Sequence, residues 1–176
     1  MKKILIIIAL FLYLPIAVSA SDIDVWGGDV AAYDATGKGD SADNPILIES
    51  AAQLAYLSQQ VSAGEPYQGI YFKLMIDVDL DSREWTPIGW HNTNANNAHF
   101  KGHFDGGGHF IKNIKVTTFT KDSSGLFGAT SGGATIKNLG VESGTIEGKV
   151  VGGIIGNMSG GRIENCYNKA SIKGAN

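Results

Sequence analysis

The chain of 176 residues has one cysteine and four prolines, the last of them at position 87. A single cysteine excludes an intrachain disulfide framework and any cluster of thiolate metal ligands. Four histidines are present, but no His-Glu-x-x-His pattern occurs, and the zinc-peptidase signature is therefore missing. Gly106-Gly107-Gly108 is followed by no Lys-Ser/Thr pair and opens no helical pattern, which excludes a phosphate loop. Only 18% of residues are charged, with no dense Lys/Arg cluster, so nucleic acid is not an expected partner. What is abundant is glycine: 24 residues, about double the ordinary share of roughly 7%. No period of three accompanies it, and 43% hydrophobic residues are too many for a linker. The length suits one domain, or one domain plus a small appendage.

The chain opens with Lys2 and Lys3, an apolar run over residues 4–18, and the small residues Val18-Ser19-Ala20. That order reads as a secretory signal peptide over residues 1–20, and the apolar run over 4–18 is short for a spanning helix, which needs roughly 20 apolar residues. An exported chain, secreted or at the cell surface, is expected. Charge divides the rest of the chain. Residues 21–91 carry 12 acidic and 3 basic side chains, residues 92–176 only 5 acidic against 9 basic. The expected organisation is an N-terminal cap over 21–91 and a repeat region over 92–176.

Three phrases recur in the second region. Ile111-Lys112-Asn113-Ile114 returns as Ile136-Lys137-Asn138-Leu139 and again as Ile163-Glu164-Asn165-Cys166. Gly125-Leu126-Phe127-Gly128 returns as Gly153-Ile154-Ile155-Gly156, and Ile146-Glu147-Gly148 as Ile172-Lys173-Gly174. The three phrases agree on a period of about 25–28 residues, within the range of solenoid repeats. Between them lie short β-branched runs with period-two alternation and glycine turns, not helical spacing. Leucine-rich repeats share the length but not the pattern. An all-β fold is predicted: a right-handed parallel β-helix-like solenoid with stacked coils about 4.8 Å apart. Asn113, Asn138 and Asn165 are expected at left-handed corners, forming one amide ladder. The same register puts Cys166 in the inward slot of Ile114 and Leu139, and Lys112, Lys137 and Glu164 in one outward column.

A solenoid exposes its core at its ends, so terminal units must differ from the rest. Ser50-Ala51-Ala52-Gln53 fits a capping box, and a helix is predicted over about 51–63, stopped by Gly64 and Pro66. A strand over 71–80 comes next, then a turn at Trp85-Thr86-Pro87-Ile88-Gly89. The stretch Asn44-Pro45-Ile46-Leu47-Ile48, the helix, residues 71–80, the Trp85 turn, residues 100–111 and the Gly-Leu-Phe-Gly phrase resemble, in that order, bacterial surface proteins with GLUG motifs. The resemblance covers nearly all of the chain from about Asn44. It implies a β-helix-like solenoid on exported, often surface-associated proteins, and no activity for the motif itself. With no closing element after the third copy, the repeat region is expected to be incomplete at its C-terminus, as a piece of a longer protein, to be capped by a partner, or to self-associate through the C-terminal coil edge.

Two sets of residues are candidates for chemistry. Asp77, Asp79 and Asp81 alternate along a strand, and three oxygen donors in a row suit Ca²⁺; against that, Ile76, Val78 and Leu80 between them read as a core face with solvated aspartates outside. Trp85 and Trp90, with Tyr67 and Tyr71, are candidates for a sugar-stacking platform, or for a plug at the junction of cap and solenoid. No cofactor is expected. The leading reading is a non-enzymatic exported module for adhesion, binding or display, with surface glycans or host proteins as partners. The alternative is a calcium-dependent polysaccharide-active β-helix enzyme built on the three aspartates.

Overall fold

A computed structural model describes residues 23–92, 97–118 and 120–174. The signal peptide expected over residues 1–20 lies outside the described residues. The chain runs through β1 (Ile23–Val25), β2 (Ile46–Ile48) and the helix α1 (Ala51–Ser62), then through four coils. The first coil holds β3 (Tyr71–Leu74) and β4 (Asp77–Asp79). The second holds β5 (His103–Asp105), β6 (Phe110–Lys112), β7 (Ile114–Val116), β8 (Ser123–Ser124) and β9 (Phe127–Ser131). The third repeats that order in β10 (Thr135–Lys137), β11 (Gly140–Val141), β12 (Gly144–Gly148), β13 (Val150–Val151) and β14 (Ile155–Ser159). The fourth holds β15 (Arg162–Glu164), β16 (Tyr167–Asn168) and β17 (Ser171–Gly174).

Strands from successive coils pair in parallel, so that sheets run along the stack. One sheet has the order β2-β3-β5-β10-β15 and a second β1-β4-β6-β11-β16; a third has β17-β12-β7, with two-stranded ladders β13-β8 and β14-β9 between. This is the parallel β-solenoid expected from the repeats. Alternation sends either the middle residue of a short strand inward, as in β5, β6 and β10, or its two outer ones, as in β2 and β7. Phe72, Phe104 and Ile136 stack in one internal column, Val78, Ile111 and Val141 in another, Val116 and Ile146 in a third, all essentially without exposure.

Helix α1 covers the first coil. Ser50 accepts the amide of Gln53, while the Gln53 side chain accepts the amide of Glu49, one residue before the cap. Leu54, Leu57 and Val61 are buried with Ile46 and Ile48 in a common core. The Ala51 amide donates to Asp24 (2.6 Å), and Ser58 Oγ to the Thr86 carbonyl (2.6 Å), so the helix is tied on both sides.

Three expectations on register and boundaries change. Residues 71–80 are not one strand: β3 and β4 belong to different sheets, with a corner at Met75 and Ile76. The boundary at 91/92 is not structural, because β3 and β4 are hydrogen-bonded into the same sheets as β5 and β6. Charge follows the outside of the solenoid and is blind to the pairing inside it. Nor is the interval from Ile111 to Ile136 one coil. Ile136 lies over Phe104, not over Ile111. The register instead climbs from Tyr71 to His103, Thr135 and Arg162, and its last step is shorter than the first two.

Corners take residues that tolerate positive φ. At Gly144, φ is +127°, and a Cβ there would lie 1.9 Å from the Ile114 carbonyl oxygen. Among the described coils the last leaves inward residues open: Ile163 is 43% and Ile172 40% exposed, against 0% for Ile136 and Ile146. Truncation should report that difference. Ile136→Ala is expected to cost about 2–5 kcal/mol and Ile172→Ala about 1 kcal/mol or less, read from urea unfolding midpoints.

Candidate functional site

The corner residues organise the solenoid's exterior. Asp79, at the end of β4, accepts the amide of Asp81 (2.9 Å) and the side-chain amide of Asn113 from the next coil (2.8 Å), and pairs with Lys112 (3.2 Å). Asp105, at the end of β5, accepts the amide of Gly107 (2.9 Å) and the side-chain amide of Asn138 (2.9 Å), and pairs with Lys137 (3.2 Å). The two sites match group for group at two different corners. Burial works to raise both carboxyl pKa values. The amides and the lysines outweigh it and hold both below the usual carboxylate range.

The single ladder of three asparagines is therefore two columns. Asn165 donates to Asn138 (3.2 Å), continuing the run from Asp105. Asn113 stands over Asp79 and accepts from Ser143 Oγ (3.1 Å). All three adopt left-handed conformation, with φ of 55°, 53° and 49° for Asn113, Asn138 and Asn165. Lys112 is likewise separate from Lys137, and Glu164 bonds Arg162 (2.7 Å). Cys166 is half-buried against the core beneath Leu139, and burial raises its thiol pKa.

Asp77 and Asp79 do lie on one side of β4, yet Asp77 is buried, not solvated, and the two do not converge on a cation. Asp77 is hydrogen-bonded to His109 Nδ1 (2.9 Å) and accepts the Phe110 amide (3.1 Å). Asp79 is held by Lys112 and Asn113, and Asp81 lies in a left-handed turn near Arg83 (3.5 Å). Each carboxylate has a different basic partner. Among the described residues no group of three or more His, Cys, Asp or Glu is placed to hold a metal ion.

The four aromatic residues of the candidate platform do not come together. Trp85 is buried, donates Nε1–H to the Leu126 carbonyl (3.1 Å) and meets Trp26 edge to face. Trp90 is covered by the Lys121 ammonium at 4.5 Å from the ring centre. Tyr67 bonds Tyr33 (2.6 Å), and Tyr71 lies on β3, stacked on His103 instead. Trp85 serves the core because Ile88 and Leu126 beside it close the same coil.

Sequence reading missed the aromatic pair that does face outward. On the sheet β2-β3-β5-β10-β15, Tyr71 and His103 have ring centres 4.3 Å apart and planes 27° from parallel. They belong to an outward column continued by Thr135 and Arg162; the neighbouring column is Lys73, Asp105, Lys137 and Glu164. Ala42 and Pro45 close one end, and the two columns line a cleft of about 310 Å³. Lys137 and Arg162 are engaged by Asp105 and Glu164, whereas Lys73 has no ion-pair partner among the described residues. Nor do the Tyr71 and Thr135 hydroxyls make a hydrogen bond among the described residues. The cleft thus offers one stacked aromatic pair, uncommitted hydroxyls and a free ammonium. That is equipment for binding a polar ligand. The only signal in the sequence was the β alternation of Tyr71, Lys73, His103 and Asp105, and it gave no pairing partner.

No protein-family model matches the chain, and no solved structure matches it. Two curated proteins are similar to it. "Halomucin" of Haloquadratum walsbyi is 28% identical over 139 residues, which is 76% of this chain and 2% of that protein. A "Putative Gly-rich membrane protein" of Evansella cellulosilytica is 31% identical over 149 residues, 74% of this chain and 16% of that protein. The chain thus spans a small part of the length of both.

The corner carboxylates set a pH dependence. Their folded-state pKa values lie below the unfolded ones, so their contribution is present above the unfolded value of about 4 and is lost as pH falls through the folded values. Unfolding midpoints are expected to fall between pH 5 and 2. The double variant Asp79→Asn/Asp105→Asn should be less stable than the parent at pH 7 and show a shallower fall in acid. A slope unchanged in that variant would show that other groups set the dependence.

Proposed function

We propose that the chain is a module of an exported surface protein, binding ligands through the outer face of the sheet β2-β3-β5-β10-β15 and carrying no catalysis of its own. The observation that carries this reading is the cleft beside Tyr71 and His103, where the Lys73 ammonium and the Tyr71 and Thr135 hydroxyls have no partner among the described residues. The similarity to a protein named as a Gly-rich membrane protein is in keeping with a surface location, as is the signal-peptide pattern over residues 1–20. The membership proposed is the group of surface proteins with GLUG motifs. Partners are surface glycans or host proteins, met along the side of the stack.

The test is binding by the purified mature chain to a glycan array and to whole cells, alongside Thr135→Trp, which fills the cleft from an outward position. Saturable binding to the parent and its loss in the variant, with unchanged far-UV circular dichroism, is the expected result. Binding that survives Thr135→Trp would move the site elsewhere on the solenoid. Turnover of a polysaccharide by the purified chain would replace this reading by an enzymatic one.

We also propose self-association through the last described coil. Ile163, Tyr167 and Ile172 are exposed there on strands with one unpaired edge among the described residues. Sedimentation of the purified chain should show mass rising with concentration, and Ile163→Lys/Ile172→Lys should suppress it. A parent that stays monomeric at high concentration would overturn the self-association.

A further inference from the structure

We infer that the cleft takes a carboxylated saccharide, a reading that rests on the cleft being a binding site as proposed above. The shape argument comes from the outward column. His103, Thr135 and Arg162 occupy successive rungs, so His103 and Arg162 are two rungs apart, about 9.5 Å. Thr135 between them is short. A ring seated over Thr135 would lie roughly 4.5–5 Å from each wall, more than the ~3.5–4 Å a flat ring needs. A puckered pyranose fills that gap; a planar base leaves it loose. One wall is the His103 ring, whose other face is already taken by Tyr71, and it offers a π surface to the C–H face of a sugar.

The polar groups then select among sugars. The Thr135 and Tyr71 hydroxyls are uncommitted among the described residues, as hydroxyl-rich ligands require. Lys137 and Arg162 are balanced by Asp105 and Glu164, so Lys73 leaves the cleft with one positive charge in excess. A ligand with a single carboxylate per ring matches that excess. A densely sulfated or phosphorylated chain would place further anions against Asp105 and Glu164, and like charges there are repelled. A neutral sugar would leave the ammonium without a counter-charge.

The experiment is calorimetric titration of the full mature chain with an oligouronate, with its methyl ester, and with a sulfated oligosaccharide of equal length. The expected order is oligouronate first, the ester weaker by about tenfold and the sulfated oligomer weaker as well, in line with the loss of one charge-assisted contact. Lys73→Met should weaken oligouronate binding by about tenfold and leave the ester unchanged. Thr135→Trp should abolish both, whereas Thr135→Val keeps the slot open and should retain both. Equal binding of ester and acid, or no effect of Lys73→Met, would overturn the carboxylate while the cleft stands if Thr135→Trp still abolishes binding. Preference for the sulfated oligomer would overturn the carboxylate too. Failure of the parent to bind any of the three overturns the inference, and failure on the glycan array as well overturns the binding site itself.

Discussion

Parallel stacking at about 4.8 Å forces each outward side chain to sit directly beside its counterpart one coil away. Inside, this favours the fold, since apolar columns such as Phe72, Phe104 and Ile136 need only similar size. Outside and at corners it is a constraint, because two like charges in one column would repel. The chain meets it by setting an acid against a lysine and an asparagine of the following coil. Asp79 faces Lys112 and Asn113; Asp105 faces Lys137 and Asn138. Each carboxylate also holds the amide that begins its own turn, so one group fixes the corner and its stacking together.

That arrangement explains why the repeat misleads on register. Ile-Lys-Asn recurs at 111 and 136 because two different corners of successive coils both require an inward aliphatic, a cation over an aspartate and a left-handed amide donor. Similar chemistry produces similar words in places that do not touch. Ile136 to Ile163 is a true coil step, and so are Phe127 to Ile155 and Ile146 to Ile172. The solenoid was legible because three phrases agreed roughly on length. The pairing was not, because coil length is uneven: His103 to Thr135 is a longer step than Thr135 to Arg162. A phrase, moreover, cannot say which corner it occupies.

Local rules were most reliable where they did not depend on register. The helix from Ala51 to Ser62 follows from its cap and its apolar positions alone. Alternation puts Asp77 and Asp79 on one side of the strand as solvated aspartates, but it is silent on neighbours from another coil, and these bury Asp77. His109 and Lys112 belong to the next coil, and they decide what those carboxylates do. For the same reason the tryptophans read as either a platform or a plug. Trp85 looks available to a ligand in a turn-like phrase, yet Leu126, far along the chain, takes its indole N–H and the core takes its ring.

The cleft follows from the same stacking constraint seen from the other side. A column must fill its rungs with groups of tolerable size and charge, and Thr135 is a short one between His103 and Arg162. A short residue there costs the fold little, since its side chain points to solvent and the inward neighbour Ile136 carries the packing. Exterior columns are therefore free to vary while interior columns are not. In a solenoid the aromatic and charged residues of an outward column can be read as ligand chemistry with less interference from the core than in a fold where one residue serves both. Lys73 illustrates the point: its neighbours Phe72 and Leu74 are fully committed to the interior, and its own ammonium is committed to no carboxylate among the described residues.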